Sequence, residues 1–102
     1  MTIRELIINK TDMKQLDISW RLSDGAQSSY ELFLIQGGSV VERVKRSSDT
    51  MRCSLCTTID PMKEYGVLLT VKSGRLLSTA RAGFYAATDK PISQYVSYHK
   101  HG

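Results

Sequence analysis

Two cysteines three positions apart, Cys53 and Cys56, are the first residues of this chain whose type and spacing invite a chemical role. A Cys-x-x-Cys pair holds zinc when a second pair, or two histidines, completes the tetrahedron. It serves redox exchange when it opens a helix whose N-terminus lowers a thiol pKa. The only histidines, His99 and His101, stand at the C-terminal end. The stretch Met51-Arg52-Cys53-Ser54-Leu55-Cys56 has the pattern of a strand rather than a helix start. Residues three apart in a strand are separated by about 10 Å and face opposite sides, whereas a disulfide needs Cα atoms within about 7 Å. Two unbridged thiols are expected, with Cys56 in the core and Cys53 more exposed, or the reverse if the register slips by one. Free thiols lean toward a reducing compartment.

Other reactive constellations are sought in the same way. Asn9-Lys10-Thr11 matches an N-glycosylation acceptor, a triplet that also arises often by chance. The carboxylates Asp17, Glu31, Glu42, Asp49, Asp60 and Glu64 fall on strand edges and turns, with no spacing that suggests a shared acid–base site. No nucleophile stands beside a base, and Gly37-Gly38 and Gly74 read as turn glycines rather than a phosphate cradle. The expectation is a protein without catalysis, cofactor or metal.

The elements that carry these residues show a period of two. Leu16, Ile18, Trp20 and Leu22 alternate with Asp17, Ser19 and Arg21; Tyr30, Leu32 and Leu34 alternate with Glu31, Phe33 and Ile35; Tyr65, Val67, Leu69 and Val71 alternate with Gly66, Leu68 and Thr70. This is the signature of half-buried strands. Ser23-Asp24-Gly25-Ala26, Gly37-Gly38, Ser47-Ser48-Asp49 and Ser73-Gly74 punctuate them with turn chemistry. Ile3–Ile8 reads as an edge strand, Asn9–Asp12 as a turn, and Thr88–Gly102 as linker, tail or an extra strand. The 102 residues suffice for one domain, and the 41% hydrophobic content suits a packed core. No apolar run approaches the ~20 residues that span a bilayer as a helix, and Met1–Leu6 has no signal-peptide pattern. A cytoplasmic protein is expected if the chain is complete, an extracellular one if it is cut from a secreted receptor. The formal net charge of +4 is spread along the chain, densest at Arg43, Lys45, Arg46 and Arg52. Nucleic acid is accordingly the least favoured partner, since such a reader clusters its cations on one face.

The order of landmarks is specific: Leu6-x-Ile8, Leu16-x-Ile18-Ser19-Trp20, Tyr30-x-Leu32, Ile59-x-Pro61-x-x-x-Tyr65-x-Val67, then Gly74 and Ser78. It resembles the fibronectin type III pattern over roughly residues 3–88. The Ile59-Asp60-Pro61…Tyr65 segment is similar to that family's tyrosine corner, in which a buried tyrosine hydroxyl bonds to nearby backbone. The resemblance implies an all-β, seven-stranded antiparallel immunoglobulin-like β-sandwich, with sheet A-B-E facing sheet C-C′-F-G. It makes residues 1–88 the domain and 89–102 a tail or linker, and places Trp20, Tyr30, Tyr65 and Pro61 in the structural core. The Arg-Gly-Asp tripeptide of some members is missing, so no integrin recognition is implied.

If Tyr30, Leu32 and Leu34 point inward, Phe33 and Ile35 point outward, and Leu68 joins them on the neighbouring strand. Val41 or Val40 extends this patch according to register, and Arg43, Lys45 and Arg46 flank it. Large apolar residues on a solvated sheet face tend to mark contact sites. The expected function is a non-catalytic protein–protein interaction module, possessing either this face or the B-C (Ser23–Ser29) and F-G (Ser73–Leu76) loops as its contact surface. The alternatives are a spacer in a larger receptor or enzyme, a weak homodimer through the apolar face, and intramolecular cover of that face by Ile92–Tyr98.

Overall fold

The computed structural model describes residues 1–85 and 92–95. These form eight strands: β1 (Ile3–Asp12), β2 (Gln15–Leu22), β3 (Ser29–Gln36), β4 (Ser39–Arg46), β5 (Arg52–Cys56), β6 (Glu64–Ser73), β7 (Leu76–Tyr85) and β8 (Ile92–Tyr95). Two antiparallel sheets result, in the orders β5-β2-β1-β8 and β4-β3-β6-β7. The first seven strands reproduce the expected A-B-E and C-C′-F-G sheets. Among the described residues no helix is long and apolar enough to cross a membrane.

The alternation read from sequence becomes the core. Leu16, Ile18 and Trp20 of β2 face Leu32 and Leu34 of β3 and Val67, Leu69 and Val71 of β6, all at most 2% exposed. Burying each such side chain contributes about 1.5–3 kcal/mol. Trp20 meets Tyr30 edge to face, with ring centroids 4.9 Å apart at 67°. Tyr65 stacks on Phe84 at 5.7 Å, and its hydroxyl accepts a 2.9 Å hydrogen bond from the Asp60 amide. That bond is the tyrosine corner, and it pins the 57–63 connection to β6.

Three sequence expectations are corrected. Pro61 is exposed, not core; Ile59, 2% exposed, is the corner residue that enters the interior. Asn9–Asp12 is strand rather than turn, since β1 runs on to pair Asn9 with Asp17 and Asp12 with Gln15. The reversal falls one step later, where Asp12 Oδ1 accepts from the Lys14 amide at 2.6 Å. Ile3–Ile8 is not an edge: β8 pairs with it, Glu5 opposite Tyr95 through Ile8 opposite Ile92. Residues 92–95 are thus the extra strand among the three readings of the C-terminal stretch. The proposed boundary at 88/89 and the histidines at 99 and 101 lie outside the described residues.

Of the two cysteine registers, the reverse one holds. Cys53 pairs with Ile18 and is buried, while Cys56 pairs with Gln15 and is exposed. Pairing with β2 sets it: Leu55 lies opposite the buried Leu16, and period two then turns Cys53 in and Cys56 out. Both thiols are free.

Candidate functional site

The outer face of the second sheet is built by register. Phe33 lies between Arg43 of β4 and Leu68 of β6, and Leu68 in turn lies beside Arg81 of β7. One row across the four strands therefore reads Arg43, Phe33, Leu68, Arg81, with two apolar side chains between two cations. The next row reads Val40, Ile35, Gly66, Gly83. Phe33, Ile35 and Leu68 are half-buried, whereas Val40 and Val41 are 57% and 43% exposed. A bulge between Leu34 and Ile35 leaves Val41 without an opposite residue, so Val40 rather than Val41 continues the Ile35 row.

The charges on this face are unequally occupied. Arg43 donates from Nε and Nη2 to one carboxylate oxygen of Glu31, at 2.8 and 2.6 Å. Its guanidinium also lies over the Phe33 ring, 5.7 Å from the centroid, an arrangement that flattens the side chain onto the ring. Arg81 has neither an ion-pair nor a hydrogen-bond partner among the described residues. Lys45 pairs in register with Glu31 and Lys72 with Ser29, which places both toward the other end of the sheet.

The two loops weighed as alternative contact surfaces are more constrained. The F-G connection is a two-residue turn, with Ser73 paired to Leu76 and Gly74 at φ 60°. It projects little surface beyond Leu76 and Leu77, which are 59% and 64% exposed and were not singled out by the alternation argument. The B-C loop is tied down through Gln27, a residue that period-two reasoning passes over because it lies between strands. Gln27 is 2% exposed; its Oε1 accepts from the Trp20 indole at 2.8 Å, and its Nε2 donates to the carbonyls of Ser48 and Thr50 at 3.2 and 3.0 Å. At the loop tip, the Ser23 hydroxyl, and after it the N-terminal amino group 3.3 Å away, hold the Asp24 carboxyl below its usual range.

Between the two sheets, burial first and the neighbouring Cys53 thiol second push the Tyr30 hydroxyl above its ordinary pKa. Among the described residues no three His, Cys, Asp or Glu side chains gather where a metal could bind.

Comparison with solved structures completes the picture. A two-domain fibronectin type III segment from chicken tenascin superposes with a TM-score of 0.69 at 16% identity, over 82% of this chain and 49% of that one. The fold is that of a fibronectin type III domain. An FN3 domain of human collagen XX superposes at 0.65 with 12% identity, over 81% of this chain and 90% of that one. The FN5 domain of Drosophila Lar does so at 0.55 with 12% identity, over 94% and 97%. No family model matches the sequence, and no curated protein matches it significantly.

Proposed function

We propose that this fibronectin type III sandwich is a non-catalytic protein-interaction module whose contact surface is the outer face of the β4-β3-β6-β7 sheet. The observation that carries the reading is the row Arg43, Phe33, Leu68, Arg81, in which large apolar side chains occupy solvent-side positions flanked by cations. Polar residues are the ordinary choice at such positions. Intramolecular cover by residues 92–95 is not available to this face, because their backbone pairs with β1 in the opposite sheet. The tight F-G turn and the anchored B-C loop favour the sheet over the loops.

A photo-crosslinking amino acid placed at Phe33, at Asp24 in the B-C loop and at Arg75 in the F-G turn distinguishes the readings. Adducts with one protein from position 33, lost when Leu68→Lys is added, are the expected result. Adducts confined to positions 24 and 75 would move the contact to the loops. The same small yield at all three positions would leave a spacer. Steep loss of binding with added salt on a nucleic-acid probe would favour the nucleic-acid reading instead.

A further inference from the structure

Gly66 and Gly83 sit opposite each other on β6 and β7, on the outer face of the second sheet. Two glycines side by side in a sheet need a reason, since glycine weakens a strand interior and gives nothing to pack. Backbone conformation is not the reason. The positive-φ glycines are Gly25, Gly37, Gly38 and Gly74, and neither strand glycine is among them. Crowding is not the reason either. A Cβ at Gly66 would meet nothing closer than the Ala82 carbonyl at 4.0 Å, and one at Gly83 would make ordinary contact with Glu64 Oε1 at 3.6 Å and the Tyr65 carbonyl at 3.7 Å. What the pair supplies is a strip of bare backbone. It floors a depression of about 500 Å³, walled by Ile35 and Leu68 and bordered by Arg81 and Glu64. The strip opens on the sheet's edge, because β7 is the last strand of its sheet. Bare backbone at such a place lets another chain come into contact distance.

The charges decide which chain. Arg43 is already taken by Glu31, so that pair has little left to offer. Arg81, beside the strip, has no partner among the described residues. Glu64 opposes it from the far end, its carboxylate leaning over Gly83. The outer face as a whole carries Arg43, Lys45, Lys72 and Arg81 against Glu31 and Glu64, an excess of cations that favours an acidic occupant.

Deepening the sheet-face reading, on which it rests, we propose that the Gly66–Gly83 strip seats an extended acidic segment of a partner protein. An apolar side chain of that segment lodges between Ile35 and Leu68, and a carboxylate next to it pairs with Arg81.

The test is a titration of the full chain, followed by amide NMR, with two capped peptides: acetyl-Glu-Ile-Asp-Val-Glu-amide and acetyl-Lys-Ile-Lys-Val-Lys-amide. The acidic peptide is expected to give saturable shifts at Gly66, Leu68, Arg81 and Gly83, and the basic one none. Gly83→Thr and Arg81→Glu should each weaken binding about tenfold or more, the range of one well-placed charge or anchor. Gly83→Thr should also raise the thermal midpoint by a few °C, because threonine suits a strand better, so its loss of binding is not a loss of fold. Equal response to both peptides, unchanged binding in Gly83→Thr, or no response at millimolar peptide overturns the proposal. So do shifts at these amides that follow protein concentration alone, which would make the occupant a second copy. If crosslinking from position 33 still captures its protein in the Gly83→Thr and Arg81→Glu variants, the sheet face stands and only the acidic-strip assignment falls. If position 33 captures nothing, the sheet-face reading itself has failed.

Discussion

Gln27 carries more of this structure than its place in a loop suggests. One side chain satisfies the Trp20 indole on one side and the Ser48 and Thr50 carbonyls on the other. Gln27→Ala leaves a buried indole N–H with no acceptor, which costs about 1–3 kcal/mol. The expected outcome is a lower denaturant midpoint with faster amide exchange over residues 48–51; an unchanged midpoint would show that water replaces the glutamine. Tyr30 supplies a pH dependence of definite sign. Its folded-state pKa is raised, chiefly by burial, so the native state holds the phenolic proton where the unfolded chain has lost it. That contribution is complete below the unfolded value of about 10 and is lost as pH rises through the folded one. Absorbance near 295 nm should show one tyrosine ionising late, together with unfolding, and Tyr30→Phe should remove that late step. At this scale the aromatic landmarks were legible because Trp20 and Tyr65 stand in alternating apolar runs. Gln27 was not, because its importance comes from a partner seven residues earlier and two carbonyls more than twenty residues later.

Among the elements, β1 departs most from its sequence pattern. An interrupted run of Asn9, Lys10, Thr11 and Asp12 is polar enough to pass for a turn, yet pairing with β2 holds it extended to Asp12. Cross-strand hydrogen bonds outweigh local turn preference when a partner strand is already in place. The sequence pattern suggests an edge strand here, and β8 covers that edge from Glu5 to Ile8. Covering an edge removes a template for unwanted pairing. A chain shortened by residues 92–102 should lose exchange protection at alternate amides within Glu5–Ile8, those turned toward β8. The intervening amides, bonded to β2, should keep theirs. Uniform loss over all four would mean that β8 is needed for β1 to fold. The hairpin β3–β4 was legible in detail, because Gly37-Gly38 adopts φ 60° and 79° and the two-residue turn fixes Gln36 opposite Ser39. The bulge that moves Val40, not Val41, beside Ile35 has no sequence signal of its own.

At the scale of the whole molecule, long-range pairing dominates. Ser29 lies against Lys72 and Gln15 against Cys56, so the sheets close only after distant segments meet. Folding should therefore be slow for a chain of this size, on the order of milliseconds to seconds. Stopped-flow refolding monitored by the fluorescence of Trp20 checks this, and a phase in microseconds would contradict it. The distribution of charge belongs to this scale too. A net charge of +4 is unremarkable as a sum; what matters is that the sheet pairs Arg43 with Glu31 and leaves Arg81 beside a bare strip.

The sequence by itself determined the all-β class, the inward alternation of β2, β3 and β6 and the outward placement of Phe33, Ile35 and Leu68. Each of these follows from a period of two or from a short local motif, which a single strand or turn expresses without help. Only the tertiary structure decided that Cys53 rather than Cys56 is buried, that Pro61 stays in solvent, that Gln27 ties three segments together, and that Gly66 meets Gly83. Those are questions of register and of which strand lies beside which, and register is set by the packing of partners distant along the chain.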